Sequence, residues 1–142
     1  MTSCGDDTES ASFDYALNGD YAGDHADDLT ATLILEENEE GNTVVTVELT
    51  NTVEGAMYPI HAHDAADPAT TPNMTLILEM PNAAVLAGAI MGTGGTVTLS
   101  QVSEMSFTDV NNFDGFLVVH DPLQAVNTTD PTTLLIVSAF AR

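Results

Sequence analysis

Positive charge is almost absent from this chain. There is no lysine, and the one arginine is the last residue, Arg142, so that 22 acidic residues give a formal net charge of -21. Such a surface repels nucleic acid and anionic lipid headgroups, which argues against both as partners. It attracts cations instead, among them Ca²⁺, Cu²⁺ and basic proteins. Self-repulsion at low ionic strength also favours a salty or divalent-rich setting.

Cysteine and long apolar runs are equally scarce. The single cysteine, Cys4, excludes an intramolecular disulfide, and no stretch is long and apolar enough to span a membrane. The small residues before Cys4 resemble the end of a bacterial lipoprotein signal, and the acidic residues after it resemble a flexible tether. We therefore expect a lipidated, exported protein at the cell surface, in the periplasm or outside the cell, which meets the membrane only through its lipid anchor. The alternative is an unstructured N-terminus with an incidental cysteine.

Motifs for hydrolysis, phosphate binding and calcium binding are missing as well. There is no Gly-x-Ser-x-Gly, no cysteine in a basic setting and no glycine-rich phosphate loop. The acidic clusters at 6–7, 20–28 and 36–40 lack the spacing of an EF-hand loop. Calcium is therefore expected to associate loosely at most, and a solvated run of charge is the favoured interpretation.

Short segments rich in Val, Ile, Leu and Thr recur between turn signals, which is typical of an all-β domain. The clearest pattern is strict alternation over Thr43–Thr50, which together with 29–36 predicts a half-buried antiparallel hairpin. The six methionines form no Met-x-Met cluster and are predicted to fill the core. We predict an acidic tether over 1–12 and one β-sandwich or barrel domain over 13–142. Its eight to ten strands come from segments 13–17, 29–36, 43–50, 57–63, 74–80, 85–91, 96–102, 105–110, 115–120 and 133–141.

Three of the four histidines lie in two of these predicted strands. Because strand side chains alternate between faces, His61 and His63 share one side, about 7 Å apart. His120 from a neighbouring strand would complete a three-nitrogen site of the kind that suits copper or zinc. The alternative is that these are polar strand residues satisfied by ordinary hydrogen bonds.

Four further residues are candidates for a role near this site. His25 is the remaining candidate for a fourth nitrogen ligand, although a solvated loop histidine is the favoured interpretation. Asp64, Asp67 and Asp121 flank the ligands and could orient the imidazoles through hydrogen bonds. They could equally belong to the general acidic surface.

The two histidine segments resemble the copper half of the copper/zinc superoxide dismutases. In that family a strand ending in His-x-His is followed by an acidic residue four positions on, as in His61-Ala62-His63-Asp64-Ala65-Ala66-Asp67. A second copper ligand near the C-terminus lies in a segment similar to Leu117-Val118-Val119-His120-Asp121. The early hairpin followed by a histidine strand is also similar to the related CHRD domain. Either resemblance implies an eight-stranded Greek-key β-sandwich or barrel.

The chain also departs from the dismutase pattern. No histidine occurs between His63 and His120, so the zinc ligands and the bridging histidine of the family are missing, which argues against zinc. The family disulfide cannot form from Cys4 alone, and the arginine that attracts superoxide has no counterpart, because Arg142 comes too late. A superoxide anion would be repelled by a protein of charge -21.

Three functions are compatible with these features. The first is an exported copper-binding domain that buffers or delivers copper. The second is a CHRD-type structural module that assembles or adheres outside the cell, with self-association through strand edges. The third is a copper-only dismutase, which would need a fourth ligand and another route for the anion. The position of His61, His63 and His120 about a common centre would discriminate the first from the second.

Overall fold

The described strands of this chain form two four-stranded antiparallel sheets. The computed structural model describes residues 8–64, 83–124 and 131–141. Cys4, Asp67 and the predicted strand 74–80 lie outside these residues. The elements are β1 (Ser10–Ala16), β2 (Thr30–Glu37), β3 (Thr43–Thr50), β4 (Met57–Asp64), β5 (Ala87–Met91), β6 (Val97–Ser103), α1 (Phe107–Asn111), β7 (Gly115–His120), a 3-10 turn (Pro131–Thr133) and β8 (Leu134–Ala139).

The strand order confirms the predicted all-β fold and decides between sandwich and barrel. One sheet has the order β1-β2-β3-β6 and the other β5-β4-β7-β8. The chain crosses between the sheets after β3, β5 and β6, and β6 returns to lie beside β3, which is a Greek-key connection. Within the described residues no ladder joins the two sheets, so the fold is a sandwich of eight strands and not a closed barrel.

The core between the sheets follows directly from the alternation along the strands. In β3, Val45, Val47 and Leu49 are fully buried, and in β2, Leu33 and Leu35 are fully buried opposite them. Burying each such side chain contributes about 1.5–3 kcal/mol. The predicted hairpin of 29–36 and 43–50 is therefore confirmed, with its apolar face packed against the second sheet.

Two predicted segments differ from the structure. β1 begins at Ser10 and pairs with β2 from Ser10 to Ala16, so residues 10–12 belong to the sheet and not to a tether. Residues 105–110 were predicted as a strand, but 107–110 instead belong to α1. Ser106 caps this helix, because its Oγ accepts from the backbone N–H of Asp109 at 3.2 Å. The three-residue spacing of Phe107 and Val110 then places both in the core.

Side chains bridge the two open sides of the sandwich. On one side the Tyr15 hydroxyl donates to the carbonyl of Ala139 at 3.0 Å and accepts from the N–H of Ala141 at 2.9 Å. On the other, Gln101 of β6 accepts from the N–H of Ala87 in β5 at 3.0 Å. These bonds occupy main-chain groups of edge strands, which leaves fewer for pairing with another copy. In the described part of the chain, no helix has the length and apolar character needed to cross a membrane.

Candidate metal centre

The strand β4 separates the core from the candidate site by its two faces. Tyr58, Ile60 and Ala62 are fully buried between the sheets. His61 and His63 alternate with them and therefore project from the outer face of the second sheet. β7 lies beside β4, with Ile60 opposite Val119. His120 lies two residues after Val118, which is opposite His61, so its side chain leaves the same face of the sheet as the two histidines of β4.

The structure brings the three predicted histidines together. The ring centroids are 5.8 Å apart for His61 and His63, 5.4 Å for His61 and His120, and 6.4 Å for His63 and His120. One ring nitrogen from each can be chosen so that all three lie within 4.8 Å of one another. Three nitrogens at this spacing could hold one metal ion between them.

The burial of these imidazoles makes a metal a good fit. His63 is 2% exposed and His120 is 4% exposed, while His61 is partly buried. In the described part of the chain, Nδ1 of His61 and Nδ1 of His120 are buried without a hydrogen-bond partner. Leaving a buried polar atom unsatisfied costs about 1–3 kcal/mol. A metal ion bound to these two nitrogens would supply the missing interaction.

The same burial keeps two of the three imidazoles neutral. Desolvation, followed by the charges of His61 and His63, lowers the pKa of His120 to about 4. Desolvation and then the charge of His63 also lower the pKa of His61. At neutral pH both imidazoles therefore carry a free lone pair, which is the form that binds a metal.

An apolar floor supports the three imidazoles on the outer face. Val118 is paired with His61 on one side and Val137 on the other, and Leu134 is paired with His120, so these side chains share the face of the site. Val118 is 1% exposed and Leu134 is fully buried. An irregularity in the pairing with β8 falls between Val119 and His120. The extra residue is Leu135 of β8, because Val119 pairs with Ile136 and His120 with Leu134.

Gly115 allows β7 to approach β4 closely beside the site. A Cβ atom at Gly115 would collide with the carbonyl oxygen of His63 and with the ring of Phe113. Only glycine at position 115 leaves room for the carbonyl group of His63 at this distance.

Asp121 fastens the chain immediately after His120 and is 3% exposed. One carboxylate oxygen accepts from the Tyr21 hydroxyl at 2.5 Å and from Nε2 of Gln124 at 2.7 Å. The other accepts from the N–H of Leu123 at 2.9 Å. These bonds attach the end of β7 to the loop before β2, a role that the sequence pattern did not suggest. The side chains of Asp64 and Asp67 are not among the described residues.

His25 is placed differently from both sequence-based interpretations. It is 5% exposed and therefore not a solvated loop residue, and it lies outside the group formed by the other three histidines. Its Nδ1 lies 2.9 Å from the carbonyl oxygen of Ala26, which can only accept, so Nδ1 carries a proton. In the neutral ring Nε2 then accepts from the Tyr58 hydroxyl at 2.6 Å.

Tyr21 and Tyr58 make hydrogen bonds to Asp121 and His25 that sequence reasoning missed. The Tyr58 hydroxyl also accepts from the N–H of Val53 at 2.7 Å, and the Tyr21 hydroxyl accepts from the N–H of His25 at 2.8 Å. Tyr58 is two residues before Ile60 in the same strand, and this spacing could have indicated that Tyr58 faces the core. Nothing in the local sequence of Tyr21 indicates its contact with Asp121, because the two are 100 residues apart.

Comparison with known proteins adds no relative: no family model, no curated protein and no solved structure matches the chain. The class of the site is therefore defined by its own geometry, as a three-imidazole cluster on the outer face of a β-sandwich, with two of the imidazoles buried and one partly buried.

Proposed function

We propose that this protein is an exported copper-binding domain that buffers or delivers copper. The observation that carries the proposal is that one ring nitrogen each of His61, His63 and His120 lie within 4.8 Å of one another, on the outer face of one sheet. A histidine that serves only to form a structural hydrogen bond is not expected to lie against two other histidines. In a purely structural CHRD-type module at least one of the three would be expected to turn away.

Copper is favoured by the donor set together with the sequence resemblance. Imidazole suits copper and zinc alike, and three nitrogens can hold Cu(I) in a trigonal arrangement or Cu(II) with water in a further position. Zinc can also bind three histidines and a water. The resemblance of the two histidine segments to the copper half of the dismutases favours copper, and the experiment below includes zinc as a competitor.

Storage or delivery is favoured over dismutation by the charge of the chain. A net charge of -21 concentrates cations near the surface and repels a superoxide anion. There is no lysine to guide the anion, and the one arginine is Arg142, which lies outside the described residues. The same field that would slow the encounter with superoxide would speed that with a copper ion.

The test is a titration of the metal-free protein with Cu(I) and with Cu(II), each followed by calorimetry. We expect one ion to bind per chain, with nitrogen hyperfine structure in the electron paramagnetic resonance spectrum of the Cu(II) form. Zn²⁺ should displace copper only at large excess. Binding should be lost in a His61→Ala/His120→Ala variant, since two of the three nitrogens are then gone.

The matched control is His25→Gln, which removes an imidazole outside the cluster and retains an acceptor for the Tyr58 hydroxyl. This variant should bind copper as the wild type does. Equal binding by the wild type and the His61→Ala/His120→Ala variant, with circular dichroism showing both folded, would refute the proposal. Preferential binding of zinc would refute the choice of metal.

A further inference from the structure

Two methionines that were predicted to fill the core lie on the surface instead. Met57 of β4 is 47% exposed and Met91 of β5 is 53% exposed. The two residues are directly opposite each other in the antiparallel pairing of these strands. Residues in that relation point to the same face, with Cβ atoms about 4.5–5.5 Å apart. The structure therefore presents two thioethers side by side to solvent.

This methionine pair is on the same face of the sheet as the imidazoles. Met57, Pro59, His61 and His63 alternate with the buried residues of β4, so all four side chains leave the outer face. Met57 is four residues from His61 on the same strand, which is about 13 Å along it.

Thioethers have a distinct metal preference. Their soft sulfur atoms select Cu(I), whereas imidazole accepts copper in either oxidation state. Methionine has three rotatable side-chain bonds, so two opposed residues can bring their sulfur atoms to a common ion. The negative field of the chain would further raise the concentration of a monovalent cation at this surface.

We propose that Met57 and Met91 form a second, weaker site for Cu(I), from which the ion passes to the cluster of His61, His63 and His120. In the transfer the Cu–S bonds break as Cu–N bonds to the imidazoles form, and the oxidation state of copper does not change. The transfer rests on the proposed function, whereas binding by the two thioethers does not.

The first experiment isolates the thioether site. The full chain carries Cys4→Ser, because a thiolate would compete for soft ions, and His61→Ala/His120→Ala, which disables the imidazoles. Its methionine methyl groups are labelled with ¹³C, assigned by single Met→Leu variants, and followed by NMR while Ag(I), a redox-inert substitute for Cu(I), is added. We expect the Met57 and Met91 signals to shift together. The signal of Met105, which packs against the core, should not move.

Three results would overturn the thioether site. The first is that neither signal moves in excess Ag(I), and the second is that only one of them moves. The third is that the Met57 signal still moves in a Met91→Leu variant as it does in the parent. Leucine is close to methionine in volume, so the fold of that variant should be retained and a lost shift can be assigned to the missing sulfur.

The second experiment tests the transfer with the imidazoles intact. Stopped-flow loading from a Cu(I) complex should be several-fold slower in Met57→Leu/Met91→Leu, with the final affinity unchanged, and Met105→Leu should load as the parent does. Equal loading rates would overturn the transfer. Failure of the cluster to bind copper at all would overturn the transfer and the proposed function together, while the methyl shifts would still decide the thioether site.

Discussion

The burial of His120 predicts a specific loss of stability in acid for the metal-free protein. The pKa of His120 is about 4 in the folded chain, against 6.5 for an ordinary histidine, because burial disfavours its charged form. Between these two values the unfolded chain binds more protons than the folded chain. The stability contributed by the neutral ring is therefore complete above pH 6.5, falls as the pH falls, and levels off below about 4.

The size of the effect follows from the same two values. The difference between 6.5 and about 4 corresponds to about 3 kcal/mol in the free energy of unfolding. The pKa of His61 is also lowered, so this residue acts in the same direction. The acidic surface acts in the opposite direction, because protonating some of the 22 carboxylates relieves self-repulsion. A comparison with a variant that lacks only the imidazole is therefore needed.

Urea unfolding of the wild type and of His120→Gln provides that comparison. Both chains are measured at pH 8, 7, 6, 5 and 4, at constant high salt and with a metal chelator present. The wild type should lose about 3 kcal/mol more than the variant between pH 6.5 and 4, and the two should run parallel above pH 7. Parallel curves over the whole range would refute the argument, because they would mean that His120 titrates equally in the folded and unfolded chains.

Three further predictions concern packing, the buried tyrosine and the metal. Gly115→Ala should lower the free energy of unfolding by about 1–3 kcal/mol and weaken copper binding, because the new Cβ would collide with the carbonyl of His63. The control is Gly19→Ala, where the new Cβ meets nothing within 4 Å. An equal loss of stability in both variants would contradict this prediction. Tyr58→Phe should lower the free energy of unfolding in urea by about 1–3 kcal/mol and leave the copper affinity unchanged, because Nε2 of His25 loses its hydrogen-bond donor. An unchanged free energy of unfolding would mean that water replaces the hydroxyl. Free copper at about 100 times its dissociation constant should stabilise the wild type by about 2.7 kcal/mol in thermal unfolding, and a comparable gain in His61→Ala/His120→Ala would place the ion elsewhere.

The features that follow the two-residue period of a strand were predictable from the sequence. The hairpin of β2 and β3 and the common face of His61 and His63 both depend only on that alternation. The same rule could have placed Met57 with His61 on the outer face, whereas composition alone led to the prediction of a core residue. The exposure of Met91 additionally required its register with Met57, which is a matter of pairing between distant segments.

The features that depend on capping or on long-range contacts were not predictable in this way. The helix α1 has only five residues, which is too short to show a helical period, and it depends on the Ser106 cap. The β-branched Val110 within it is typical of a strand, so the segment was predicted as one. The burial of His25 depends on its contact with Tyr58, which is 33 positions later in the chain. No local pattern reports such a contact.

The placement of the imidazoles and the core on opposite faces of β4 has a practical consequence for engineering. Every second residue of this strand contributes to holding the sandwich together, and the residues between them face the candidate metal. Ligand identity at 61 and 63 can therefore be varied without repacking the interior. The fold could serve as a scaffold on which coordination chemistry is redesigned one side chain at a time, while the other face of the same strand preserves the architecture.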